Sequence, residues 1–66
     1  MLSTTDFERH QAACQAVIDA QEREKYFDRL ARGGDTWAAA RLPDATAEAV
    51  EAEAKLARIR KEVYGA

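Results

Sequence analysis

This chain of 66 residues contains one cysteine, Cys14, one proline, Pro43, and only three glycines. A single cysteine cannot form a disulfide within the chain, which excludes the disulfide-stapled scaffolds of small secreted proteins. Neither glycine nor proline interrupts the stretch 6–32, and no segment rich in them separates two domains. The sequence therefore predicts one domain with a long, unbroken first helix.

Neither sign of charge dominates, because 12 acidic residues and 10 lysines and arginines give a net charge of -2. This balance does not favour nucleic acid or an anionic membrane as a partner. No apolar run approaches the roughly 20 residues of a membrane-spanning helix. The N-terminal stretch also lacks the basic region and apolar run of a secretory signal. We therefore expect a cytoplasmic protein that does not act at a membrane.

Large apolar side chains are few as well. Hydrophobic residues make up 47% of the chain but aromatic residues only 8%. Much of the hydrophobic fraction is alanine, which favours helix but buries little apolar area. A domain of this size buries only about 60% of its unfolded surface. Because such a small core needs support, we expect self-association or a constitutive protein partner.

The sequence does contain two apolar seams with the spacing of packed helices, one on each side of Gly33 and Gly34. Both step by alternating threes and fours, which is the period of one helix packing along another. The seams comprise His10, Ala13, Val17, Ala20, Glu24, Phe27 and Ala31, and then Ala45, Ala49, Ala52, Leu56, Ile59 and Val63. The pattern predicts an all-α protein in which residues 1–66 form a single antiparallel two-helix hairpin.

Capping residues predict where the first helix begins and ends. Thr5 followed by Glu8 is typical of a capping box, which starts helix 1 near residue 6. Gly33 suits the left-handed closing position, so helix 1 is expected to span about 6–32.

The connection is expected to contain a short helical turn over 36–41, capped by Asp35. Pro43 disfavours helical backbone at the residue before it, which separates this turn from the second helix. Asp44 then caps helix 2, expected over about 45–64.

A working register pairs Val17 with Ile59 and Ala31 with Ala45, so that bulky side chains meet small ones at most levels. Further apolar residues lie beside the seams and widen the apolar stripe beyond what one helix covers. These are Phe7, Cys14, Ile18, Val50 and Tyr64. The extra width predicts a homodimer in which two hairpins form a four-helix bundle.

His10 and Cys14 lie four residues apart on one helix face, as two metal ligands or a catalytic pair do. Zinc needs three or four ligands, and the chain has no second histidine or cysteine. A two-helix protein also has little room for a pocket of roughly 300 Å³ or more. We expect no metal site, no cofactor and no catalytic residue, and interpret the pair as packing residues.

The segment 55–61 is locally basic and offers Lys55, Arg58, Arg60 and Lys61 as phosphate contacts. The alternative interpretation places these cations at the negative end of a helix dipole. Because Leu56 and Ile59 belong to the seam and Glu62 follows directly, the basic residues are divided, and we favour the second interpretation.

The loop end of the hairpin holds most of the bulky side chains, whereas helix 2 offers only alanines there. The bulk either folds inward over those alanines or stays partly exposed as an anchor for another protein. The candidate partner-binding residues are Tyr26, Arg29, Leu30, Trp37 and Arg41.

The function expected from these features is a non-catalytic protein-interaction module. It would be a small adaptor, regulator or inhibitor, of the kind that phages and mobile elements encode, bound to a larger protein. One alternative is a nucleic-acid-binding helical dimer that uses the basic segment 55–61. Another alternative is a structural or assembly subunit of a larger complex or a virion.

Overall fold

A computed structural model describes residues 3–65, which form two helices of 29 residues each. Helix α1 spans Thr4–Arg32 and helix α2 spans Thr36–Tyr64. Contacts run from Arg9 with Glu62 at the terminal end to Phe27 with Trp37 at the loop end, so the helices are antiparallel. The predicted all-α hairpin is confirmed, and its Cα atoms extend over 50 × 16 × 12 Å.

The first helix begins two residues earlier than the capping box predicted. The Oγ atom of Ser3 accepts a hydrogen bond from the backbone N–H of Asp6, at 3.1 Å, and Ser3 is therefore the N-cap in place of Thr5. Both residues can cap, but the earlier position lengthens the helix by two residues and satisfies an N–H group that the helix itself leaves unpaired. The predicted end at Arg32 is confirmed.

A tight connection joins the helices. The N–H groups of Gly34 and Asp35 donate to the carbonyls of Ala31 and Leu30, each at 3.0 Å. Gly34 has a φ of 98°, a conformation that favours glycine because it has no Cβ atom. Asp35 then caps α2 by accepting from the N–H of Ala38.

The prediction of a separate turn over 36–41 and a second helix from residue 45 was wrong. The helix α2 is continuous from Thr36 and contains Pro43. Proline removes the N–H that would donate to the carbonyl of Ala39, but both residues are exposed, so water can satisfy that carbonyl. Ala38 and Leu42 continue the second seam toward the loop and are buried and half-buried. Packing along α1 thus outweighs the local preference of proline.

Both predicted seams form the interface between the helices. Every seam residue is buried or half-buried, including His10 and Glu24. Leu56 and Ile59 are the only large side chains classed as buried in the described residues, at 9% and 7% exposure, and they pack with Ala13. Three partly buried side chains pack against this cluster: Cys14, Val17 and Val63. The core of one chain is therefore thin, as the scarcity of large apolar residues predicted.

The working register was wrong by two to five residues. It placed Arg23 level with Glu53 and Gln21 level with Lys55. Instead, Arg23 pairs with Glu48, and the Nε2 atom of Gln21 donates to Glu53 at 2.8 Å. The physical reason is the short connection: because α2 begins at Thr36, its residues lie closer to the loop than a helix starting at residue 45 would allow.

Candidate protein-binding surfaces

Side-chain contacts between the helices define two long sides of the hairpin. On one side, which we call the stripe side, the rings of His10 and Tyr64 meet edge to face at 5.3 Å, and Gln21 bonds to Glu53. On the other, the groove side, Arg9 pairs with Glu62. The same side carries the ion pair of Arg23 with Glu48 and a shallow groove with an alanine floor. The contacts between the helices therefore differ: the stripe side has an aromatic contact and an amide hydrogen bond, and the groove side has ion pairs.

An aromatic cluster occupies the loop end of the groove side. The ring of Phe27 meets Tyr26 at 5.6 Å and Trp37 at 5.7 Å, both in edge-to-face geometry. The guanidinium of Arg41 lies over the Trp37 ring, 4.9 Å from its centroid. Edge-to-face pairs and a cation over an indole ring are favourable geometries that limit side-chain motion. The cluster is therefore a preorganised surface.

The exposed fractions of the side chains show whether this cluster folds inward or remains open to solvent. Trp37 is 54% exposed and Tyr26 is 51% exposed, while Phe27 is half-buried beneath them. Trp37 therefore rests on Phe27 and presents more than half of its surface to solvent. Of the other predicted residues, Arg29 is exposed and Leu30 half-buried. We call these five residues, Tyr26, Arg29, Leu30, Trp37 and Arg41, the loop-end aromatic surface.

A second apolar surface lies on the stripe side, where the residues beside the seams predicted a wider apolar stripe. Four large side chains there are about half exposed or more: Phe7, Ile18, Val50 and Tyr64. Cys14 and Ala57 lie between them at helical spacing, and we call the six residues the apolar stripe. The signal in the sequence was the spacing of seven residues that joins Val50, Ala57 and Tyr64.

His10 and Cys14 do come together, with the Sγ atom 3.7 Å from the His10 Nε2 atom. The Nε atom of Arg60 donates to the same Nε2 atom at 3.4 Å, and Tyr64 packs against the ring. His10 is thus held within a contact between the helices. Across residues 3–65, no group of three or more His, Cys, Asp or Glu side chains is placed to hold a metal ion.

The four basic residues of segment 55–61 are all exposed but do not share one face. Lys55 and Arg58 border the groove, whereas Arg60 and Lys61 lie beside Tyr64 on the other side of α2. At 3.6 residues per turn, Lys55 and Arg60 are on opposite flanks of the seam. A phosphate backbone following one face would meet only some of these cations.

Comparisons with known proteins add no identification, since no family model, no curated protein and no solved structure matches this chain. Within the described part of the chain, neither helix has the combination of length and apolarity that crossing a membrane requires.

Proposed function

We propose that this protein is a non-catalytic protein-interaction module, a small adaptor, regulator or inhibitor that binds a larger protein through its loop-end aromatic surface. The observation that carries the proposal is the half-exposed Trp37, which meets Phe27 edge to face and is covered on one side by Arg41. Tryptophan, tyrosine and arginine are the residues most enriched at the energetic centres of protein interfaces.

Preorganisation strengthens this proposal. A tryptophan already held by Phe27 and Arg41 loses little side-chain freedom when a partner covers it, and this ordering cost is a main term opposing association. Arg29 and Arg41 supply cations at the edge of the surface. The partner surface that fits is therefore an apolar pocket for the indole ring with carboxylates at its rim.

We further propose that the chain works as a homodimer, in which two hairpins form a four-helix bundle through the apolar stripe. The support is the thin core of one hairpin together with four large apolar side chains that are about half exposed or more. Large apolar side chains gathered on one exposed side mark an interaction surface more often than single scattered ones do. A second hairpin would cover both stripes at once.

The dimer is tested by mass and by concentration dependence. Light scattering after size exclusion is expected to give twice the chain mass of 7.3 kDa at micromolar concentration. The melting temperature should rise with protein concentration, because association stabilises the folded chain by mass action. A folded monomer whose melting temperature is the same at all concentrations would contradict the dimer.

Partner binding is tested with Trp37→Ala in a tagged capture from native lysate, followed by affinity measurement on the purified partner. We expect affinity to fall roughly 30-fold or more, the factor that corresponds to about 2 kcal/mol at an interface hot spot. Trp37→Phe is the matched control, since it keeps an aromatic ring against Phe27 and should retain part of the affinity. Circular dichroism verifies that both variants stay helical.

Two results would count against the interaction proposal. Equal partner recovery by the wild-type chain and Trp37→Ala would remove the loop-end aromatic surface from the interface. Recovery that disappears after nuclease treatment, and that falls when Lys55, Arg58, Arg60 and Lys61 are replaced by alanine, would instead indicate nucleic-acid binding.

A further inference from the structure

The apolar stripe is concentrated in the terminal half of the hairpin, and this placement indicates how two copies meet. On the basis of the proposed dimer, we infer that a second copy packs on the stripe with its helices running in the opposite direction. The two-fold axis passes beside Cys14 and Ala57, and the loop ends point away from each other. Three observations of the described residues support this arrangement over one in which both loops lie at the same end.

The first observation is that Cys14 and Ala57 lie at similar heights in the hairpin. Cys14 lies five residues after Arg9, and Ala57 five residues before Glu62, and Arg9 bonds to Glu62 at 2.8 Å. On the stripe side, the contact of Gln21 with Glu53 differs from this alignment by three residues, so Cys14 and Ala57 lie within about one helical turn of each other in height. One axis perpendicular to the helices can therefore pass beside both. These are also the two smallest side chains of the stripe, which permits close approach.

The second observation is charge complementarity around Ala57. Glu53 precedes it by four residues and Arg60 follows it by three, on the same side of α2. When two α2 helices run antiparallel about Ala57, Glu53 of each copy lies near Arg60 of the other, and this occurs twice by symmetry. The same arrangement sets Val50 level with the second copy's Tyr64. With both loops at one end, each α2 would instead face α1 of the second copy, and this pairing of Glu53 with Arg60 would not form.

The third observation is the polarity of the stripe side beyond the stripe. At the spacing of seven residues, Ile18 is followed by Lys25 and Arg32, and Gln21 is followed by Asp28. Asp28 and Arg32 form an ion pair at 3.0 Å whose arginine side chain is 81% exposed. A dimer with both loops at one end would cover these charges, which is costly. The inferred arrangement ends its overlap near Lys25 and leaves them in water.

This arrangement gives the dimer two partner sites at its far ends. Trp37 is 20 residues from Ala57 along α2, or about 30 Å at 1.5 Å per residue, so the two Trp37 side chains would be about 60 Å apart. Tyr26, Trp37 and Arg41 lie on the groove side, away from the stripe, and Arg29 lies beyond Lys25, where the overlap ends, so dimerisation leaves both copies of the loop-end aromatic surface accessible. The dimer is therefore bivalent, and a partner with two or more repeated sites would be held far more tightly than by one hairpin.

The native Cys14 provides a direct test, because it lies beside the inferred axis in each copy. Mild oxidation by air with copper phenanthroline is expected to convert most of the wild-type chain to a disulfide-linked dimer, visible on a non-reducing gel. A Cys14→Ser/Ala57→Cys variant should form the same kind of dimer through α2. A Cys14→Ser/Ala12→Cys variant is the matched control, since Ala12 lines the groove on the opposite side and should stay largely monomeric on the gel.

Two outcomes would overturn the arrangement. A chain that is dimeric by light scattering, but whose Cys14 crosslinks no faster than the Ala12→Cys control, does not have Cys14 at its axis. A mixed disulfide between position 14 and position 57 in Ala57→Cys, without the symmetric products, would indicate loops at the same end. Crosslinking requires no partner, so its failure leaves the role of Trp37 to be judged separately by the affinity measurement.

Discussion

Replacing Leu56 with alanine is expected to lower the free energy of unfolding by about 2–5 kcal/mol, the range for removing a large aliphatic side chain from a core. Leu56 packs with Ile59 and Ala13. Within residues 3–65, Leu56 and Ile59 are the only large side chains that are buried. Alanine favours helix at least as well as leucine, so the loss would come from packing alone. Urea unfolding followed by circular dichroism measures it.

The size of this loss matters because a chain of this length is expected to have only about 3–10 kcal/mol of stability, at 0.05–0.15 kcal/mol per residue. Leu56→Ala should therefore remove a large share of the total stability. Glu51→Ala is the matched control, since it lies on α2 in an exposed position and should change stability by less than about 0.5 kcal/mol. Similar effects at the two positions would mean that the interface between α1 and α2 is not the core.

Replacing Pro43 with alanine is expected to stabilise the protein by about 2 kcal/mol. Proline inside a helix costs about 3 kcal/mol relative to alanine, because it removes an N–H donor and crowds the preceding turn. Proline also restricts the unfolded chain, and the loss of that restriction lowers the gain by about 0.4–1 kcal/mol. The restored N–H can donate to the carbonyl of Ala39, four residues earlier in the continuous helix.

The same urea titration measures this gain, with Thr46→Ala as the control for a change of helix propensity alone at an exposed position of α2. That control should gain only a few tenths of a kcal/mol. If Pro43→Ala were no more stable than wild type, the helix would be interrupted near residue 43, as local sequence rules predict.

The candidate site was only partly predictable from the sequence. The clustering of Tyr26, Trp37 and Arg41 at the loop end follows from a hairpin with its break at Gly33 and Gly34. Whether Trp37 folds inward depends on where α2 begins, because a start at Thr36 places it on a flank of the first turn, against Phe27. The basic residues of segment 55–61 lie on two different sides of α2 because the seam between them packs against α1.

The sequence by itself determined the all-α class, the presence of two helices, the break between them, the seam of α1 and the seam of α2 from Ala45 onward. These features are local, because the spacing of apolar residues by three and four is a property of each helix by itself and does not depend on its partner. The tertiary structure decided what depends on residues distant in sequence. Contact with α1 carries α2 through Pro43, and the short connection sets the register that pairs Arg9 with Glu62. That register brings Cys14 and Ala57 to similar heights, because the relative height of residues on two helices is set only when the helices pack together.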